Sequence, residues 1–317
     1  MLAFRRLLLL ALPLCACETA DRAAIPAADS GAAEATSLTG APLVPPALPD
    51  SVRLRYEERL REAEADLARD PASADAAIWV GRRLAYLGRY REAIDTFTSA
   101  IARHPDDPRL HRHRGHRYIT VRRLDDAITD LGRAAELIRG RADEIEPDGL
   151  PNARGIPTST LQSNIWYHLG LAYYLRGDFA QAHDAYREAL RVSTNPDMLV
   201  ATTHWAYMTR RRMGDSTGAA ALLARISREM EIIENDAYHR LLLLYKGEIE
   251  PDSLMVTAGS ADGITDATLG YGVANWHLYN GRPAEAVALF ERVVTGPQWA
   301  AFGYIAAEAE LARGTAG

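Results

Sequence analysis

Residues 166–189 read WYHLGLAYYLRGDFAQAHDAYREA. Trp166, Leu169 and Tyr173 recur at steps of three and four, the period of one face of a helix. Gly177 then interrupts the run, where a residue able to take positive φ ends a helix. A second helical run follows, with Ala182, Tyr186 and Ala189 on one face. Phe179 and Tyr186 are large enough to fill the space between two crossing helices. The stretch therefore predicts a helix, a glycine turn and a second helix folded back on the first.

The same pattern occurs upstream at a spacing of 34 residues: Gly81, Ala93 and Ala100 recur as Gly115, Ala127 and Ala134, and Pro71 recurs as Pro105. Small residues at these places let two helices approach closely, and Tyr90 and Phe97 fill the gaps beside them. Gly88 falls between the two helices, as Gly177 does. Trp166-x2-Leu169-Gly170-x2-Tyr173, with Ala182-x3-Tyr186 after it, closely resembles the tetratricopeptide pattern. The resemblance covers roughly Ala74 to Arg313, with gaps. It implies an all-α solenoid, a right-handed superhelix of antiparallel helix pairs in which each pair packs on its neighbours.

Weaker copies continue the series. Trp205, Tyr207, Gly214, Ala219, Leu223 and Ile226 belong to a pair over Met198 to Ser227. Glu234 to Lys246 is an apolar helix whose partner, starting at Pro251-Asp252-Ser253, is short and runs into a loop from Gly259 to Gly263. Ala267 to Val294 is a clearer copy, and Trp299 to Arg313 is a closing helix with Glu308 and Glu310 expected toward water. At the front, Asp50-Ser51 is expected to cap a helix with Tyr56, Leu60, Ala63 and Leu67 on one face.

Two segments break the repetition. Arg141 to Gln162 is an insertion with a turn at Glu146-Pro147-Asp148-Gly149, and Ser159-Thr160-Leu161-Gln162 is a capping box expected to start the next helix at Thr160. Leu150, Ile156 and Leu161 are apolar enough to pack back on the stack. The insertion is a functional loop, a simple cover or a disordered segment. Glu18 to Asp50 has no aromatic residue and five prolines among many alanines, so it is expected to be a disordered tether.

The first residues carry a different signal. Arg5-Arg6 precedes the apolar run Leu7 to Leu14, too short for a spanning helix of about 20 residues and suited to a secretory signal. Leu14-Cys15-Ala16-Cys17 resembles the lipobox of bacterial lipoproteins. The resemblance implies cleavage after residue 16 and lipidation of Cys17, whose sulfur takes a diacylglyceryl group. It divides the chain into a signal peptide (1–16), a lipidated linker (17–50) and a solenoid (51–317). Glu18 after Cys17 then favours an outer-membrane location facing the periplasm in a Gram-negative host.

Composition narrows the function classes. Formal net charge is −6, and losing Arg5 and Arg6 with a signal peptide removes two positive charges, giving −8. A coat for nucleic acid would show a basic excess. The only cysteines are Cys15 and Cys17, so the body holds no disulfide, no thiolate nucleophile and no cysteine metal site. His111, His113 and His116 cluster, but Arg112, Arg114 and Arg117 surround them with a field that opposes a cation. Glu144-x-Glu146-x-Asp148-Gly149 echoes a calcium loop, but Gly155 stands where a bidentate carboxylate is needed. No phosphate loop, dinucleotide fingerprint or nucleophile elbow is present, so no cofactor and no enzyme activity are expected.

In such solenoids the first helix of each pair lines the concave face. The inward positions give Ile78, Arg82 and Tyr86 from the first copy, then Arg109, Arg112, His116 and Thr120 from the second. Asn164, Tyr167 and Tyr174 follow from the third, His204, Arg211 and Arg212 from the fourth, and Tyr271, Asn275 and Tyr279 from the last. This set predicts a basic, aromatic groove. Arginine forks pair with carboxylates, so the expected ligand is an extended segment or chain end bearing them. The resulting expectation is a membrane-anchored scaffold for proteins or peptides of the bacterial envelope. The alternatives are a binder of envelope glycans or small ligands that uses the groove and the 141–162 loop, and an enzyme built under that loop.

Overall fold

Helix starts along the chain are set by side chains that accept orphan backbone N–H groups. Ser73, Asp107, Thr160 and Asn195 each cap a helix in this way. In the computed structural model, which describes residues 31–258 and 263–314, these caps open the first helices of four successive pairs. The pairs are α2 (Ala74–Tyr86) with α3 (Tyr90–Ile101), and α4 (Pro108–Thr120) with α5 (Leu124–Leu137). After the insertion come α6 (Leu161–Arg176) with α7 (Phe179–Val192), then α8 (Pro196–Arg212) with α9 (Ser216–Leu222). A helix α1 (Asp50–Arg69) precedes them. Two further pairs follow: α10 (Asp236–Tyr245) with α11 (Pro251–Ala258), and α12 (Gly263–Tyr279) with α13 (Pro283–Val293). Then α14 (Phe302–Arg313) closes the chain. The molecule is an all-α solenoid of tetratricopeptide type.

Close crossings sit where small residues were expected. A Cβ on Gly115 would lie 2.7 Å from Leu131 Cγ, one on Gly170 would lie 2.7 Å from the Tyr186 ring, and one on Gly81 would run into the Phe97 ring. Phe97 is fully buried, which stabilises the first pair by about 1.5–3 kcal/mol. Gly177 ends α6 at φ 95°. At the matching place between α4 and α5 stands Arg122, which carries φ 65°, a conformation that costs a non-glycine residue about 1–2 kcal/mol.

The superhelix curls more tightly than an open groove requires. The first helices of successive pairs touch in turn, and α12 also reaches α8 while α14 reaches α6. The inner faces of α6, α8 and α12 are therefore covered, and these helices are buried nearly all round. Glu308 and Glu310, expected toward water, are instead 1% and 0% exposed. Arg122 donates from Nε and Nη2 to both oxygens of Glu308 at 2.9 Å. Arg212 and Arg313 both donate to Glu310. The Arg122 and Arg212 pairs tie the last helix to the second and fourth repeats.

The segment before α1 also departs from its expectation. Two short strands, β1 (Ala35–Thr36) and β2 (Pro42–Leu43), pair antiparallel. Ala35 and Leu43 are buried, Trp299 Nε1 donates to the Val44 carbonyl at 2.6 Å, and the Arg91 backbone N–H donates to Glu34. Residues 34–49 thus lie against the stack rather than forming a tether, because Ala35 and Leu43 find apolar surface there. The expected signal and residues 17–30 of the expected linker, including Cys17, lie outside the described residues, as do residues 259–262 of the 259–263 loop. The front helix forms, but Asp50 and Ser51 lie inside its first turn rather than capping it, and Pro49 at the N-cap offers no side-chain cap.

Candidate functional site: a basic cavity under the inserted loop

The insertion leaves α5 at Leu137 and rejoins the stack at α6, and it is ordered. Its last residues form a capping box one step later than expected: Thr160 accepts from the Ser163 N–H, and Ser163 Oγ accepts from the Thr160 N–H. Leu161 is buried, while Leu150 and Ile156 stay 48% and 42% exposed. What holds the loop down is polar. Arg82 donates to the Pro147 carbonyl at 2.7 Å, and Arg83 donates to the Gly149 carbonyl at 2.9 Å. Asn152 and Thr158 both donate to Glu234.

Beneath the loop lies a cavity of about 160 Å³. Arg82, Tyr86, Arg112 and His116 of the expected groove meet there, joined by His113, Arg117 and the loop's Glu146. Gly81, Ala85 and Phe97 form an apolar floor, and the Phe97 and His113 rings stack at 5.7 Å. Glu146 is buried, 3.1 Å from Arg112 Nε and 3.6 Å from His113 Nε2. Asn164 Nδ2 donates to the same carboxylate at 3.1 Å, so Asn164 takes part from behind the loop. An adjoining depression of about 250 Å³, lined by Asp75, Trp79, Arg109 and Pro147 among others, shares Arg82, His113 and Glu146 with it.

The electrostatics are those of buried cations with little compensation. Three guanidiniums line the cavity and one carboxylate answers them. Among the described residues no carboxylate pairs with Arg117; its guanidinium lies 5.7 Å from the Tyr90 ring. Burial pulls Arg117 down to about 10 and lowers Arg112 as well. Burial, then the neighbouring arginines, holds His113 well below the usual histidine range, and burial followed by the Arg117 charge does the same to His116. Both rings are neutral at pH 7 and stand ready as donors or acceptors.

The other expected groove residues go elsewhere. Tyr174, Tyr271 and Asn275 meet in a second, sealed cluster: the two phenol oxygens are 2.7 Å apart, and Asn275 Nδ2 donates to Tyr174 at 2.6 Å. All three are at most 1% exposed, and burial pushes the Tyr174 hydroxyl up to about 12. Tyr167 donates to Tyr238, and His204 packs against Tyr238 and Tyr245. These five side chains are core, because α12 and α14 and their neighbours occupy the concave side. Arg211 lies over the Tyr279 ring at 4.3 Å and donates to its carbonyl. Arg109 pairs with Asp75 and Asp107, and its hydrogen bonds to Asp107 raise its affinity for the proton. The expected continuous groove is thus broken up: Arg82, Tyr86, Arg112 and His116 meet at the cavity, Tyr167, Tyr174, His204, Tyr271 and Asn275 are core, and Arg109 and Arg211 stay part-exposed in local pairings.

Sequence reasoning missed His113, Arg117 and Glu146 as members of the site. His113 and Arg117 lie off the positions taken to face inward, and Glu146 was read only as part of a turn and of an acidic stretch. Among the described residues no three His, Cys, Asp or Glu side chains gather as a metal site, and no helix is long and apolar enough to cross a membrane.

The helix pairs, the glycine turns and the close crossings at Gly81, Gly115 and Gly170 are those of tetratricopeptide repeats. Tetratricopeptide-repeat family models match residues 80–144 and 163–196. No curated protein matches. Among solved structures, a tetratricopeptide repeat protein from Parabacteroides merdae aligns with 82% of this chain and 99% of its own, at 14% identity and TM-score 0.44. MamA of AMB-1 aligns with 53% of this chain and 85% of its own, at 20% identity and TM-score 0.41. The Cut9–Hcn1 tetramer of the APC/C aligns with 83% of this chain and 63% of its own, at 16% identity and TM-score 0.32. Repeats of this type serve in general as protein-interaction scaffolds and are typically not enzymes.

Proposed function

We propose that this chain is a lipid-anchored scaffold of a bacterial cell envelope, held through Cys17 and docking proteins or peptides with its repeat body. The observation that carries the docking half is the inserted loop. It is pinned to the stack by arginines, yet it turns Ile145, Leu150 and Ile156 outward at 64%, 48% and 42% exposure. Apolar side chains raised on a held loop and ringed by charge make a surface that gains by being covered. The anchoring half is supported by the Arg5-Arg6 and Leu14-Cys15-Ala16-Cys17 pattern.

The test is affinity capture from the envelope of the source organism with the full lipidated chain. The same capture is run with Ile145, Leu150 and Ile156 all changed to Ser, a variant whose altered side chains already face water. Capture of discrete envelope proteins is expected, at least tenfold weaker for the triple variant. Equal capture by both forms removes the loop from the docking surface. Fatty-acid labelling of the wild type and of Cys17→Ala tests the anchor, and label retained in the variant would end that half of the proposal.

A further inference from the structure

We infer that the cavity beneath the inserted loop binds a short dicarboxylate, two carboxylates joined by a few carbon atoms. Charge sets the valence of the ligand. The lining supplies Arg82, Arg112 and Arg117 against Glu146 alone, with His113 and His116 as neutral rings. The excess of two positive charges matches a dianion. One donor is already waiting: Arg112 is only 7% exposed, and its Nε lies near Glu146 without making a hydrogen bond. A second is Arg117, which has no carboxylate partner among the described residues and rests near the Tyr90 ring. Guanidinium forks pair best with planar carboxylates.

Size and shape choose among dianions. A space of about 160 Å³ resembles a cavity that holds a molecule of roughly benzene size. The floor of Gly81, Ala85 and Phe97 is apolar, whereas the walls are cationic. A phosphate has no apolar part to lay on that floor, and a single carboxylate leaves one charge unanswered. A short hydrocarbon chain between two carboxylates meets both walls and floor. The loop closes over it, because Arg82 and Arg83 reach the Pro147 and Gly149 carbonyls from below. Solute binding of this kind is separate from the docking of proteins on the outer side of the loop.

The experiment is calorimetric titration of the purified full chain with succinate at low ionic strength, with no partner and no membrane present. One-to-one binding is expected with a Kd on the order of 10–100 µM, typical of a ligand of about eight non-hydrogen atoms. Acetate and inorganic phosphate are expected to bind at least about tenfold more weakly. Arg117→Gln removes a charged donor and is expected to weaken succinate about 10- to 100-fold. Arg82→Gln, at a half-exposed position, serves if Arg117→Gln melts before it can be titrated. No binding of succinate at millimolar concentration overturns the proposal, as does undiminished binding by the variants. Phosphate binding tighter than succinate overturns the dicarboxylate assignment. Because no protein partner is involved, failure here leaves the scaffold reading standing, and failure of envelope capture leaves this result standing.

Discussion

The first two repeats and the repeats led by α8 and α12 use the same inward positions of the same kind of helix, and they end in opposite states. Around α2 and α4 those positions border a polar cavity roofed by a loop. Around α8 and α12, His204, Tyr271 and Asn275 are locked into the core with Trp205, Tyr207 and Tyr245. The difference comes from the cover. A loop that donates and accepts through its backbone leaves arginines room beneath it, whereas α12 and α14 bring their own apolar and aromatic surface. The solenoid period sets where a side chain points, and the superhelical curl decides whether that place is a site or a core.

Acid should break both regions together, and this is the largest effect expected. His113, His168 and His204 are buried, and burial holds each well below its usual range, His204 at about 3. The unfolded chain takes up a proton at each near pH 6.5 while the folded chain does not. Stability is therefore complete above pH 6.5 and drains as pH falls toward the folded values. At pH 5 each ring accounts for up to about 2 kcal/mol. Denaturant midpoints at pH 7.5 and pH 5.0 should differ accordingly, with the more acidic sample weaker. The comparison sharpens if histidine proton resonances are followed over the same range. His204 should stay silent until the chain unfolds, and a His113 signal titrating near 6.5 in the folded protein would mean that the cavity is open to water.

Much of the fold could be read from residues 74–189, since the small and large residues of each crossing are adjacent in the repeat and depend only on one neighbour. The burial of Tyr174, Tyr271 and Asn275 could not be read, because the groups that cover them arrive from about a hundred residues away in the chain. Helical period names a face but carries no record of the curl that brings α14 back to α6. Glu308 and Glu310 show the same limit: carboxylates on a terminal helix read as solvated until Arg122, Arg212 and Arg313 are placed opposite them. Composition misled at residues 34–49, where prolines and alanines suggested a tether although Ala35 and Leu43 alternate toward the stack.

Unlocking the sealed end comes next in size. Glu308→Ala would leave Arg122 buried, in a left-handed backbone conformation, with hydrogen bonds remaining only to the Thr120 and Trp299 carbonyls. Loss of one member of a buried pair costs about 3–5 kcal/mol. The loss should be seen in thermal melts as a large fall in Tm and in hydrogen exchange as early opening of α14. If exchange in α14 is unchanged, the ion pair is not what fastens the end of the superhelix, and the sealed region owes its closure to apolar packing alone.

The smallest effect should fall on the loop by itself. A Cβ at Gly149 would meet the Tyr86 hydroxyl and come within 2.8 Å of Arg82 Nη2, both the far ends of long side chains. Gly149→Ala is therefore relieved by lifting the loop rather than by disturbing the helices, at a cost of about 1 kcal/mol, within the ordinary range for a point substitution. The global Tm should move by only about 2–4 °C, while limited proteolysis between residues 141 and 160 quickens several-fold, since opening a cover is a local event. If Gly149→Ala instead lowers Tm as far as Glu308→Ala does, the loop folds as part of the core. The two regions would then differ in the polarity of what covers them but not in how separably the cover is held.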